Sequence, residues 1–215
     1  MQQTAALFDL DGVLVDTEGQ YSLFWKAVGA SDFPEIPDFA DHIKGRTLVQ
    51  IFQEFYPGNA GRQKSITEQL ERFESQMSYA YVPGAMRFVG ELRANGIRVA
   101  VVTSSNRDKM ASLYSQHPDF SAHFDHIFTA EDFTRSKPAP DCYIQAAHYW
   151  GLDPKDCYVF EDSINGLRAG RDSGATVVAL TTTHSLEEVR PYCRFAIKDF
   201  TGFGVEDLPA LRQRG

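Results

Sequence analysis

The sequence has no apolar run approaching the roughly 20 residues a helix needs to cross a bilayer. It has no lysine or arginine cluster either. With a formal net charge of −8, the chain does not present the basic surface that nucleic acid requires. Cysteine is scarce: Cys142, Cys157 and Cys193 are widely spaced, odd in number and unlike any zinc pattern, so they are expected as reduced thiols of a cytoplasmic protein. There is no internal repeat and no low-complexity segment. An apolar segment begins within a few residues of Met1, leaving no room for a signal peptide. These absences set aside membrane proteins, disulfide scaffolds and nucleic-acid binders, and a monomer is the expected state. They also carry a condition. An anionic substrate would have to be met by a few placed cations or a metal, because the overall field opposes it.

What is present is organised around one stretch near the start, Ala5-Ala6-Leu7-Phe8-Asp9-Leu10-Asp11-Gly12-Val13-Leu14-Val15-Asp16. Its unbroken apolar run reads as a buried strand in the middle of a parallel sheet. The strand delivers Asp9 and Asp11, then a glycine at which the backbone can turn. Side chains two apart on a strand share a face, so both acids are expected to point into one pocket past its carboxyl end. Two carboxylates held together repel unless a metal or a shared proton relieves them.

Beyond Asp16 the pattern is helical as far as Tyr81. A helix carries Tyr21, Phe24, Trp25 and Val28 and is expected to close at Gly29. Shorter helices follow at Phe39 to Ile43 and Leu48 to Phe55, then an amphipathic helix from Lys64 to Tyr79. From Val82-Pro83-Gly84 onward, helices alternate with short apolar runs at Ile97 to Val102, His126 to Thr129, Cys157 to Phe160 and Thr176 to Leu180. Alternation of this kind implies right-handed βαβ units. The expected architecture is therefore α/β, a Rossmann-like parallel sheet core formed by 1–15 and 82–215, with an all-helical cap at 16–81. An insertion directly after the first strand hangs over the carboxyl-end crevice, where a lid belongs.

Three further strand ends carry polar groups. Thr103-Ser104-Ser105-Asn106 offers hydroxyls and backbone N–H groups at a helix start, which suits a phosphate as well as a cap. Lys137 stands on a Pro-rich loop, and Glu161-Asp162 follows a buried strand directly, where acids with no ligand are costly. Hard oxygen ligands in this number suit Mg2+, which keeps several waters and bridges to phosphate oxygens.

Asp9-Leu10-Asp11-Gly12-Val13-Leu14-Val15-Asp16-Thr17-Glu18, Thr103-Ser104, Lys137-Pro138 and Glu161-Asp162-Ser163-Ile164-Asn165-Gly166 resemble the four motifs of the haloacid dehalogenase superfamily. The form of the first motif and the helical insertion resemble its beta-phosphoglucomutase-like branch. The resemblance implies that Asp9 is a nucleophile forming an aspartyl-phosphate. It implies that Asp11 is general acid and then base, that Thr103, Ser104 and Lys137 hold the transferring phosphate, and that Asp9, Asp11 (through its backbone carbonyl), Glu161 and Asp162 hold Mg2+. It further implies that Trp25, Lys44, Gly45 and Arg46 face the substrate from the cap. Beta-phosphoglucomutase also carries a histidine on the first cap helix and an arginine shortly after the Lys-Gly turn. The matching positions here are Tyr21 and Leu48, with Arg46 two residues away. Hydrolysis of a small phosphomonoester such as a sugar phosphate is therefore expected, with mutase activity as the alternative. A dehalogenase would have no use for the acids beyond Asp9, and a non-catalytic regulatory module stands as the remaining contrast.

Overall fold

A computed structural model of the chain describes residues 4–44 and 46–212. Its strands are β1 (Ala5–Phe8), β2 (Arg98–Val102), β3 (His126–Phe128), β4 (Cys157–Glu161), β5 (Thr176–Leu180) and β6 (Phe195–Ile197). Together they form one parallel six-stranded sheet in the order β3-β2-β1-β4-β5-β6. The reversal of strand order lies at β1, so its carboxyl end opens on the crevice where α/β sheets bind ligands. Phe8 pairs with Val101 on one side and Phe160 on the other. That register brings the residues after β1, β2 and β4 out at a common edge.

Alternation along β1 explains how both faces of the sheet are filled. Ala6 and Phe8 point into one apolar cluster with Phe88, Phe160 and Phe200, and Phe8 stacks on Phe160 at 4.7 Å. Ala5 and Leu7 point into the other, with Val102, Tyr143 and Leu167. A strand buried on both faces must be apolar at every position, and β1 is.

Helices α1 (Glu18–Asp32), α2 (Phe39–His42), α3 (Leu48–Phe55) and α4 (Ala60–Gln76) follow β1, and α5 (Ala85–Ala94) leads back into β2. The remaining helices, α6 (Arg107–Gln116), α7 (Asp141–Tyr149), α8 (Ile164–Ser173), α9 (Leu186–Val189) and α10 (Leu208–Arg212), connect or follow the later strands. Helices α1–α4 enclose an apolar cluster of their own, built on Trp25, Val28, Phe39, Ile51, Tyr56 and Ile66. The two chain crossings that join them to the sheet run side by side. Asp16 N donates to Ala80 O at 2.8 Å and Val82 N to Leu14 O at 3.0 Å. Helix α6 grips the second crossing: Gln116 donates to Met77 O at 2.6 Å, and a His117 ring nitrogen lies 2.8 Å from Tyr79 O.

Four local expectations are corrected, the first at α4, which spans Ala60–Gln76 where Lys64 to Tyr79 was expected, because Asn59 caps it early and Met77 is already extended. Helix α1 does not stop at Gly29 but continues to Asp32, and Gly29 serves packing instead, since a side chain there would collide with Phe39. β1 ends at Phe8, one residue before Asp9, so Asp11 lies beyond the strand in a turn closed by Gly12 N to Val15 O at 2.8 Å. The sixth strand, β6, is three half-buried residues long, too short for its alternation to stand out in the sequence. Helix α3 and β5 keep the expected limits, and α3 is capped by Thr47, which forms a capping box with Gln50.

One ion pair ties the end of α1 to the start of α4. Arg62 on α4 makes a two-pronged contact with Asp32 at 2.6 and 2.8 Å, and Tyr56 donates to the same carboxylate at 2.8 Å. Burial alone would raise the Asp32 carboxyl, but these donors outweigh it and hold it below the usual range. A depressed carboxyl stabilises the fold above its unfolded value of about 3.9 and loses that contribution as pH falls through the folded value. Asp32→Asn should therefore lower stability at pH 7 by about 1.5 kcal/mol, the low end for hydrogen bonds to a charged group. Urea titrations of both proteins should converge as pH falls from about 3.9 through the folded value, which checks the sign.

Candidate active site

At the common edge of β1, β2 and β4, four segments converge on a cavity of about 320 Å³ roofed by α1–α4. Asp9 leaves β1 with its backbone N–H bonded to Phe160 O at 3.0 Å, which fixes where its side chain starts. Lys137, almost fully buried, puts its ammonium 2.6 Å from Asp9 Oδ1, 2.6 Å from Glu161 Oε1 and 3.0 Å from Val102 O. Glu161 is the last residue of β4 and has no exposed surface. Its Oε1 also accepts from the Tyr143 hydroxyl, and its Oε2 accepts from the backbone of Asp162 and Ser163 and from the Ser163 hydroxyl.

Asp9, Glu161 and Asp162 offer carboxylate oxygens that all lie within 4.8 Å of one another. One ammonium faces these three acids, so the cluster carries surplus negative charge. Burial, then the neighbouring carboxylates, raise Asp9 to about 7 against the pull of Lys137. Burial likewise raises Asp162, with Glu161 and Asp9 adding to the effect. For Lys137, burial would lower the ammonium, but Asp9 and Glu161 hold it well above its ordinary range. A small set of hard oxygen donors with unbalanced charge is chemically suited to Mg2+.

Asp11 lies in a different environment. Its Oδ1 accepts from the buried Thr17 hydroxyl at 2.5 Å, and its Oδ2 accepts from Ser105 at 3.1 Å and from Lys109 Nζ at 2.5 Å. Burial would raise this carboxyl, but Lys109 and the two hydroxyls outweigh it and bring it below its ordinary value. Lys109 is itself nearly buried and sits over the Tyr21 ring at 4.6 Å, while Tyr21 donates to Glu74 on α4 at 2.6 Å.

Most residues expected at the site therefore converge on one cavity. Asp9, Asp11, Thr103, Ser104, Lys137 and Asp162 all line it. Glu161 stands behind them as the partner of Lys137. From the helical side, Trp25, Lys44 and Arg46 line the same space, while Gly45 lies outside the described residues. Neither cation is unpartnered: Lys44 lies 3.8 Å from Glu18 and 3.9 Å from Asp41, and Arg46 pairs with Glu54. Thr103 turns its hydroxyl to the Ser105 N–H at 3.0 Å, and Ser104 is exposed beside it. Lys109 and Thr183 carry no expectation from the sequence, and Thr17 and Ser105, though inside the quoted stretches, were not expected as partners of Asp11. For Lys109 there was a signal, a lysine on the same helix face as the buried Leu113 four residues on.

An α/β sheet with buried acids and a paired lysine at the ends of its central strands defines a crevice built to hold a hydrophilic, charged ligand. A family model for haloacid dehalogenase-like hydrolases matches residues 3–174, and the chain belongs to that family. The chain is 29% identical over 220 residues to a probable pseudouridine-5'-phosphatase of Drosophila melanogaster, covering 97% of this chain and 95% of that protein. It is also 29% identical over 195 residues to a bifunctional riboflavin kinase/FMN phosphatase of Arabidopsis thaliana, covering 82% of this chain and 48% of that protein. The chain thus spans about half of that second relative. Its fold is shared with a crystal structure of beta-phosphoglucomutase from Clostridium difficile, at a TM-score of 0.80 and 18% identity, over 99% of this chain and 98% of that one.

The Lys109–Asp11 pair can be weighed directly. Lys109→Met keeps the length of the side chain but leaves a largely buried carboxylate without its cation, which should cost about 3 kcal/mol. Adding Asp11→Asn removes the stranded charge and should return a good part of that loss. Urea unfolding of the two single variants, the double variant and the parent closes the cycle. Strictly additive losses would mean that the pair does not interact.

Proposed function

We propose that the protein is a Mg2+-dependent phosphatase that hydrolyses a small phosphomonoester, such as a sugar phosphate, through an aspartyl-phosphate on Asp9. The observation that carries this reading is Asp9 itself, just past the end of the central strand, held at 2.6 Å by Lys137 and grouped with Asp162 at the cavity and Glu161 behind it. Phosphoryl transfer needs positioning and neutralisation of charge on the equatorial oxygens more than covalent chemistry from the protein. Mg2+ held by Asp9, Asp162 and the Asp11 carbonyl, with Glu161 beside them, would supply that neutralisation and offset the repulsion between substrate and acids.

The residues divide the work as follows. Lys137 and the Thr103-Ser104 turn hold the phosphoryl oxygens in line with Asp9. One Asp9 oxygen forms the new bond to phosphorus as the ester oxygen leaves, and Asp11 supplies the proton that makes it an alcohol. Water then attacks the phosphorus, Asp11 takes back a proton, and Asp9 departs as carboxylate with inorganic phosphate released. The position of Asp11 seen here suits the second step, since Lys109, Thr17 and Ser105 favour its ionised form. In the first step it must leave Lys109 and turn toward the ester oxygen. Segment 16–81 acts in this scheme as a lid, moving about the paired crossings at Asp16 and Val82.

The mutase reading differs in one requirement. Isomerising a sugar phosphate takes a second phosphate site in the lid. The wall offers Tyr21 and Leu48 there, and Lys44 and Arg46 are already paired with acids. β-Glucose 1-phosphate should therefore release inorganic phosphate. Formation of glucose 6-phosphate, stimulated by glucose 1,6-bisphosphate, would overturn the preference for hydrolysis.

The assignment of the two aspartates is tested by leaving-group dependence. General acid catalysis is worth roughly 10²–10⁴-fold, and an aryl phosphate with a stable phenolate does not need it. Asp11→Asn should lose most of its rate with an alkyl phosphate. With p-nitrophenyl phosphate it should give a burst of nitrophenol and then stall as phosphoenzyme, visible as added mass in quenched samples. Asp9→Asn should give neither burst nor mass, and EDTA should silence the parent enzyme. Normal alkyl phosphate turnover by Asp11→Asn, or trapped phosphate on Asp9→Asn, would reject the roles.

A further inference from the structure

The loop leaving β5 belongs to none of the four motifs, yet two of its residues are fastened to the candidate metal site and its neighbouring turn. Thr181 N donates to Ile197 O at 2.9 Å, tying the loop to β6. The Thr182 hydroxyl donates to Gly12 O at 2.6 Å, and the Thr183 hydroxyl donates to Asp162 Oδ2. Ser185 then starts α9 with a capping box to Glu188. Asp162 Oδ2 is confined from the other side as well. Gly12 has φ +68°, and a side chain there would collide with that same oxygen. One carboxylate oxygen of Asp162 is thus clamped between the turn after β1 and the loop after β5. Thr183 also lines the cavity, so its hydroxyl stands at the site.

We propose that Thr183 is a positioning residue for the divalent cation: by holding Asp162 Oδ2, its hydroxyl turns the other oxygen to the metal as a one-point ligand. Hydrogen bonds of this kind orient ligands, and losing one costs about 10–100-fold in metal affinity or activity. A hydroxyl on a loop pinned at successive residues is a preorganised donor, which a mobile surface threonine is not. The inference rests on Asp162 being a metal ligand, and the experiment separates the two claims.

Binding of Mn2+ to the full-length, phosphate-free protein is followed by loss of the free-ion paramagnetic resonance signal, with no substrate present. Thr183→Val should bind Mn2+ about 10–100-fold more weakly, and Thr183→Ser, which keeps the hydroxyl, should bind as the parent does. Thr183→Ala serves the same purpose as valine without the branched side chain. In turnover, Thr183→Val should raise the Mg2+ concentration for half-maximal rate by a similar factor and recover most of its kcat at saturating metal. Parent-like Mn2+ binding by both Thr183→Val and Thr183→Ala, or failure of Thr183→Ser to restore it, overturns the inference. Asp162→Asn calibrates the reading beneath it. If that variant loses Mn2+ while Thr183→Val keeps it, only the role of Thr183 falls. If Asp162→Asn binds Mn2+ normally, the metal site itself is misassigned.

Discussion

The arrangement at the strand ends depends on one buried cation. Lys137 reaches in from the loop before α7 and touches Asp9 after β1, Glu161 at the end of β4 and the carbonyl of Val102 at the end of β2. It thereby joins the three central strands at their carboxyl ends through a single ammonium. A buried lysine survives only if its charge is matched and its three donors are used, and here all three have acceptors. A shift of any of the three strands along its neighbour would leave one acceptor empty. The same contact explains why Glu161 is so deeply buried: Lys137, Tyr143 and the start of α8 occupy both of its oxygens.

One ammonium cannot balance three acids, and this imbalance is where structure passes into chemistry. A site neutralised within the protein would have no affinity for a dication. One with too many unpaired acids would destabilise the fold it sits in. The cluster of Asp9, Glu161 and Asp162 against Lys137 lies between those limits. Fixed cations and hydroxyls hold these carboxylates in place, and the remaining negative charge is what a divalent cation bound there would neutralise.

Much of this was legible in the sequence because it rests on local pattern. Apolar runs ending in acids mark strand ends at Asp9 and Glu161, and the phosphate-type turn at Thr103-Ser104 follows the same logic on β2. What stayed hidden depends on distant segments meeting. Lys109 needed the observation that a charged side chain occupies the inward face of α6, where only an anion such as Asp11 makes it tolerable. Thr183 gave no signal, since a run of three threonines after a strand is ordinary and its partner lies 21 residues earlier. Asp11 shares the cavity with Asp9 as expected, but it reaches it from a turn and not from the strand. The two-residue alternation of a strand was extended past Phe8, where β1 has already given way to a turn. Pairs such as Phe39 against Gly29 were invisible for the converse reason, because a glycine that ends a helix and one that admits a neighbour look alike.

Asp9 and Asp11 stand two residues apart and yet are pushed in opposite directions, which is how one chain assigns different duties to like groups. Asp9 is raised because its burial and acidic neighbours outweigh one lysine. Asp11 is lowered because Lys109, Thr17 and Ser105 together outweigh its burial. Those three donors do not come from one body of the fold. Ser105 and Lys109 belong to the segment after β2, whereas Thr17 begins the helical segment, and Tyr21 of α1 covers Lys109 while binding Glu74 of α4. The electrostatic environment of Asp11 is therefore shared between the sheet and the helices above it. With Thr17 and Tyr21 in place, the ionised form of Asp11 is favoured, as the proposed role of base requires. To give a proton instead, it must come away from Lys109, and the contacts resisting that step include ones carried by α1. In the proposed cycle Asp11 gives a proton and then takes one, so a displacement of α1 relative to α6 would shift that balance through Thr17 and Tyr21, which make no part of the Lys137 contacts of Asp9.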